Sequence, residues 1–243
     1  MQNIQTSDHE YTVGAARHVG FVAHDAAIQG PRPGVILIHE WWGVDDEIRE
    51  RARQIAALGY VAFVIDMFGD GRTAADVAGA AGLMQGVLDD METGTRRLRA
   101  GFETLRAMPL VDADRTAAMG YCFGGAMALH MARIGLPLKA VASFHGALGS
   151  FHRPAPGSVK ARILVCHGAA DAMVSAGDVE AFRAEMDAAG ADYEVIVYPD
   201  AMHGFAVPAA TERGKRFGIP VGHNEAADKA SWDAMRKLYA EVL

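Results

Sequence analysis

A chain of 243 residues with 51% hydrophobic side chains is long enough to bury one large core. It carries 23 basic and 30 acidic side chains, a net charge of -7, and no basic block, which argues against nucleic acid or an anionic membrane as partner. Two cysteines do not make a disulfide framework in a chain of this size. No apolar window approaches the roughly 18 residues of a spanning helix, and the polar start lacks a leader's basic flank and apolar stretch. The reading is a soluble cytoplasmic protein with a single α/β domain, 1–243.

In chain order, residues 11–13 and 21–23, separated by turn-prone residues, predict an N-terminal antiparallel hairpin at a sheet edge. The apolar run 35–38 predicts a buried strand, followed by the turn His39-Glu40-Trp41-Trp42-Gly43. Ile48, Ala52, Ile55 and Ala56 then form a helical stripe behind the acidic start Asp45-Asp46-Glu47, with Gly59 placed to end it. Val61–Ile65 is the next strand, and Leu98, Phe102 and Leu105 mark a helix that must finish before Pro109. Further strands are predicted at 116–119, Ala140–Phe144, 163–166 and Tyr193–Tyr198. Between them lie helices over 126–132 and along Val179, Phe182, Met186 and Ala189, the latter closed by Gly190. A last helix starts near Asn224 with Ala227, Met235, Leu238 and Val242 on overlapping faces. Short apolar runs alternating with helices are the rhythm of a mostly parallel sheet covered on both faces.

The chemistry centres on Gly120-Tyr121-Cys122-Phe123-Gly124-Gly125, which puts a thiol at a tight strand-to-helix turn. Glycines flank the cysteine because a sharp elbow needs unusual backbone angles and close backbone approach. This is a nucleophile elbow with Cys in the serine position. Such a thiol needs a base and a group to orient that base. Asp171 follows strand 163–166 and His203 follows strand Tyr193–Tyr198, in the order nucleophile, acid, histidine. The carboxyl ends of parallel strands share one edge, so these residues can meet there. With ten histidines present, one near a strand end means little by itself; its place after the last strand, beside a glycine and downstream of the elbow, singles out His203. His130, His145, His152, His167 and His223 show no zinc spacing and read as structural, and Cys166 reads as a buried strand residue. An oxyanion would be held by the backbone N–H of Phe123 and by that of Trp41 in the early loop. Glu40 in that loop would place a carboxylate beside the thiol, opposing its ionisation or accepting its proton.

On these residues the chain resembles the dienelactone hydrolase family of α/β-hydrolases. Further stretches carry the resemblance: Asp66-Met67-Phe68-Gly69, Ser143-Phe144-His145-Gly146, His167-Gly168-Ala169-Ala170-Asp171 and His203-Gly204-Phe205. The resemblance implies ester or lactone hydrolysis through a thioester on Cys122, with no metal or organic cofactor, and a Glu40 that bonds the resting thiol and helps deprotonate it. The family's founding lactonases read a substrate carboxylate with two arginines; those positions here are Asp70 and Val207. An aspartate repels a carboxylate and a valine cannot form the bidentate pair. Arg72 and Arg213 remain as candidates to replace them. The aromatic set Trp41, Trp42, Phe68, Phe123, Phe144 and Phe205 suggests an apolar pocket suited to neutral small-molecule esters or lactones, and to a phosphotriester as a side activity. The rival from another class is a non-catalytic redox-sensing or binding protein built on the same thiol. Monomer and homodimer are both compatible with the sequence.

Overall fold

The computed structural model describes residues 3–243. Among them lie eight strands and seven helices, with strand order β1-β2-β4-β3-β5-β6-β7-β8. The chain divides into two compact units within β5, Val111–Tyr121: one runs to Ala118, the other starts at Met119.

In the first unit, β1 (Ile4–Val13) and β2 (Ala16–Asp25) pair antiparallel from Ile4↔Asp25 to Val13↔Ala16. Gly14, with φ 60°, makes the turn between them. The expected hairpin is therefore present, but it is ten residues long on each side. Most of β1 is exposed and polar, so only its end near Tyr11 left an apolar trace in the sequence. β2 also pairs antiparallel with β4 (Val61–Ile65), which runs parallel to β3 (Arg32–Ile38). Residues 35–38 are wholly buried, as expected of a strand covered on both faces. Between β3 and β4, α1 (Asp46–Ala57) is capped by Asp45, whose side chain accepts from the Ile48 N–H, and it buries the stripe Ile48, Ala52, Ile55 and Ala56. Then come α2 (Val77–Leu88) and α3 (Met91–Arg106), the second burying Leu98, Phe102 and Leu105.

In the second unit, α4 (Phe123–Arg133) follows the elbow and is buried along its whole length. β6 (Ala140–Phe144), β7 (Arg162–Gly168) and β8 (Tyr193–Tyr198) pair in parallel. α5 (Ala176–Ala189) starts from a capping box between Ser175 and Asp178 and ends at Gly190 in the left-handed conformation. α6 (Ala210–Phe217) and α7 (Glu225–Val242) complete the chain, with Asn224 capping α7. Two helices, α2 and α6, have no counterpart in the sequence reading. α2 is rich in glycine and alanine and buries only Ala80 and Val87, while α6 buries only Ala210, so neither writes a helical stripe. Among the described residues, no helix is long and apolar enough to cross a membrane.

Candidate active site

Cys122 sits between the end of β5 and the first residue of α4 with φ 54° and ψ −117°, a conformation that disfavours any side chain. Neighbouring glycines make the turn geometrically feasible. A Cβ on Gly120 would run into the Gly124 carbonyl, and one on Gly125 would stand 2.7 Å from Ser143 Oγ. The Cys122 N–H donates to the Phe144 carbonyl at the end of β6, 3.0 Å away, which fixes the elbow to the neighbouring strand. Cys122 is half-exposed and lies at the positive N-terminal end of α4.

Asp171 and His203 are joined beyond the ends of β7 and β8. A Cβ on Gly168 would collide with the Ala201 carbonyl, so only glycine lets the two loops come this close. The Ala169 N–H donates to Tyr198 O at 2.9 Å and the Ala170 N–H to Ala201 O at 3.0 Å. Above these ties, Asp171 Oδ2 accepts from His203 Nδ1 at 2.9 Å, with the Asp171 side chain fully buried and that of His203 nearly so. Asp171 Oδ1 accepts from the N–H groups of Met173 and Val174 at 2.7 and 3.0 Å. Burial alone would raise the Asp171 pKa, but the His203 bond, its charge and the two amides together hold it below the ordinary carboxylate value.

His203 is the mirror case. Burial pushes its pKa down, yet the charge of Cys122, the hydrogen bond to Asp171 and the further attraction of both groups raise it to about 11. With Nδ1 committed to Asp171, the buried Nε2 is the atom left for chemistry with the thiol. These interactions favour the protonated His203 ring.

His145 and His167 belong to the same neighbourhood, although the sequence spacing left them as structural. His145 is buried at the end of β6 with φ 40°, its ring centroid 5.2 Å from that of His203 and 5.3 Å from that of Phe205. His167 is buried on β7 with its pKa lowered, chiefly by burial. The usable signal was position: both stand at strand ends of the edge that carries Asp171 and His203. Among the described residues, no group of three or more His, Cys, Asp or Glu side chains could hold a metal ion.

The remaining candidates divide between half-exposed and buried positions. Phe123 opens α4 and is buried. Phe144 stacks on Tyr121 at 4.8 Å, Phe205 packs between His145 and Tyr198, and Val207 is buried. Cys166 is wholly buried, and burial pushes its thiol up to about 12, as suits an inert strand residue. In the first unit, Glu40 and Trp41 are half-exposed and Trp42 is buried, the two tryptophan rings meeting at 5.2 Å. Phe68 is buried against the His39 ring at 4.7 Å. The 66–72 loop is wound around Asp66, whose carboxylate accepts from the N–H groups of Val19, Phe68, Gly69 and Gly71. Asp70 is exposed with φ 55°. Arg72 is folded back onto its own loop, donating to the carbonyls of Phe68 and Gly69, and so occupied rather than extended toward a ligand.

The dienelactone hydrolase family model matches residues 19–243. The chain belongs to that family. Membership makes it a hydrolase of ester or lactone bonds with the α/β-hydrolase fold. A dienelactone hydrolase-like promiscuous phosphotriesterase from metagenomic libraries is 36% identical, covers 98% of both chains and superposes with a TM-score of 0.90. The solved structure of m3DLH is 37% identical, covers 99% of both chains and has a TM-score of 0.92. A Salmonella typhimurium relative, provisionally assigned as a carboxymethylenebutenolidase, is 28% identical over 91% of this chain and 82% of its own length.

Proposed function

We propose that this hydrolase is cysteine-dependent and cleaves neutral carboxylic esters or lactones through a thioester on Cys122. The observation that carries the reading is the buried Asp171–His203 bond in the same unit as a half-exposed thiol at a strained elbow. The Cys122 thiolate attacks the carbonyl, and the negative oxygen is held by the N–H groups of Phe123 and Trp41. Collapse of the adduct expels the alkoxide, which takes the proton from His203 Nε2 and leaves a thioester. The thioester no longer carries the charge that most raised the His203 pKa, so His203 becomes competent to deprotonate water. Hydroxide attacks, the acid leaves, and Cys122 returns as a thiolate beside protonated His203. Glu40 takes the proton of the resting thiol when substrate binds and returns it once the thiolate is released. No metal or organic cofactor enters the scheme.

Specificity for neutral substrates rests on Asp70 and Val207, and on the engagement of Arg72 by its own loop. Trp42, Phe68, Phe144 and Phe205 supply or support an apolar lining. The phosphotriesterase named among the solved relatives favours a second, promiscuous activity. The thiolate would displace an aryloxide from phosphorus, and water would then release the phosphodiester and restore Cys122.

A panel of a carboxylate-bearing lactone, a neutral lactone, aryl esters and an aryl phosphotriester tests the reading on wild type and Cys122→Ala. Turnover of the neutral compounds is expected, with losses of several orders of magnitude in the variant. Full activity of Cys122→Ala would overturn the mechanism, and preference for the carboxylate-bearing lactone would overturn the specificity. A phosphotriester that gives one stoichiometric burst and no turnover removes the side activity. Peroxide-sensitive Cys122 without turnover of any compound would point to a sensor instead.

A further inference from the structure

We propose that His39 is a positioning residue that fixes the orientation of the Trp41 N–H, the oxyanion donor proposed above. The inference rests on the assignment of that N–H as an oxyanion donor and adds how the donor is held.

His39 stands at the end of β3, wholly buried. Its Nε2 receives the Met67 N–H at 3.1 Å, so the lone pair is there and the ring proton is on Nδ1. Nδ1 lies 2.5 Å from the Glu40 carbonyl and must be donating to it. Burial pushes the His39 pKa down, against the pull of the Glu40 carbonyl and of Asp66 and Asp45, which favours the neutral ring that this pattern requires.

The Glu40 carbonyl belongs to the peptide whose N–H is that of Trp41. In a trans peptide these groups point in opposite directions within one plane. Clamping the carbonyl on the His39 side therefore turns the Trp41 N–H to the other side. That N–H has no hydrogen-bond partner among the described residues. The loop around it is otherwise well tied: the Gly43 N–H donates to Glu40 O at 3.4 Å, and the Ala74 N–H to Trp42 O at 2.9 Å. A Cβ on Gly43, which has φ 93°, would strike the Arg72 carbonyl. An unpartnered N–H inside a loop pinned on both sides is a preorganised donor, and such donors help when charge develops on the substrate oxygen.

The test separates carbonyl chemistry from thiol reactivity. Iodoacetamide alkylates Cys122 at a saturated carbon and develops no oxyanion, whereas 4-nitrophenyl butyrate hydrolysis does. His39→Phe fills the space but makes neither hydrogen bond; His39→Gln can donate to Glu40 and accept from Met67. The expected result is a kcat loss of about 10- to 100-fold in His39→Phe, below the cost of removing a whole oxyanion donor. KM and the alkylation rate should change less than about threefold, and His39→Gln should recover most of kcat. If His39→Phe does not fold, His39→Asn, too short to span both partners, must show the same selective loss. Wild-type kcat in the deficient variant, or parallel loss of alkylation and hydrolysis, would overturn the proposal. So would a His39→Gln as slow as His39→Phe. Cys122→Ala measured beside them tests the nucleophile independently, so failure of the clamp and failure of the mechanism give different results.

Discussion

Asp171 Oδ2 and His203 Nδ1 stand 2.9 Å apart with the Asp171 side chain fully buried and that of His203 nearly so, which leaves water little chance to compete for the proton between them. Such a bond determines which face of the imidazole performs chemistry. Asp171→Asn keeps the size but presents an amide that can lock the wrong tautomer. A fall in kcat of about 10³- to 10⁴-fold with little change in thermal midpoint is expected. Steady-state kinetics beside a melting curve check it; a loss under tenfold would mean that His203 is oriented by something else.

The proton on His203 should depend on the sulfur. Cys122 is the first of the groups that raise the His203 pKa, so its replacement by Ala should lower that pKa relative to wild type, as read by NMR titration of the ring. The linked stability effect has a definite sign. Unfolded His203 releases its proton near 6.5 and the folded form near 11, so across that interval the native state holds a proton that the unfolded state has lost. Its contribution is therefore present below pH 6.5 and fades as pH climbs toward 11. In Cys122→Ala the fading should finish at lower pH. Denaturant unfolding at several pH values measures this, and identical pH dependence in the two proteins would contradict it.

Backbone strain at the elbow can be separated from chemistry. Both Cys122→Gly and Cys122→Ala remove the thiol, but only glycine is at ease with φ 54°. The glycine variant should be the more stable of the two by about 1 kcal/mol, within the usual strain of such positions. Chemical denaturation decides, and an alanine variant of equal or greater stability would show that the turn is relaxed.

Arg133 offers a prediction away from the chemistry. Its side chain is buried, pairs with Glu185 at 2.7 Å and donates to the carbonyls of Leu148 and Gly149. Arg133→Ala leaves a half-sheltered carboxylate and two carbonyls without these donors, and should cost about 3–5 kcal/mol. Equilibrium unfolding tests this; a cost under about 1 kcal/mol would mean that water replaces the guanidinium.

The strands at Val61–Ile65, Ala140–Phe144 and Tyr193–Tyr198 were legible to the residue, because an apolar run bounded by turns leaves little choice of register. β1 was legible only near Tyr11, since an exposed edge need not alternate. The elbow at Cys122 and the pairing of Asp171 with His203 could be anticipated because chain order and strand ends are linear features. The contacts of His145 and His39 could not. One depends on a ring meeting His203 across 58 residues, the other on the Met67 N–H reaching back from the next strand, and neither leaves a spacing in the sequence.

The end of β6 receives the Cys122 N–H through Phe144 O, and through His145 N–H it binds Cys166 O on β7 at 2.8 Å, while the His145 ring lies against His203. Ser143 Oγ and Gly146 are crowded against Gly125. These four consecutive residues thus contact the Cys122 elbow and His203 at once, and neither contact can be changed there without disturbing the other. Evolvability in this molecule should therefore be unevenly distributed: a library randomised over 143–146 will be nearly barren, and new substrate preferences will have to arise where a side chain answers to only one catalytic partner.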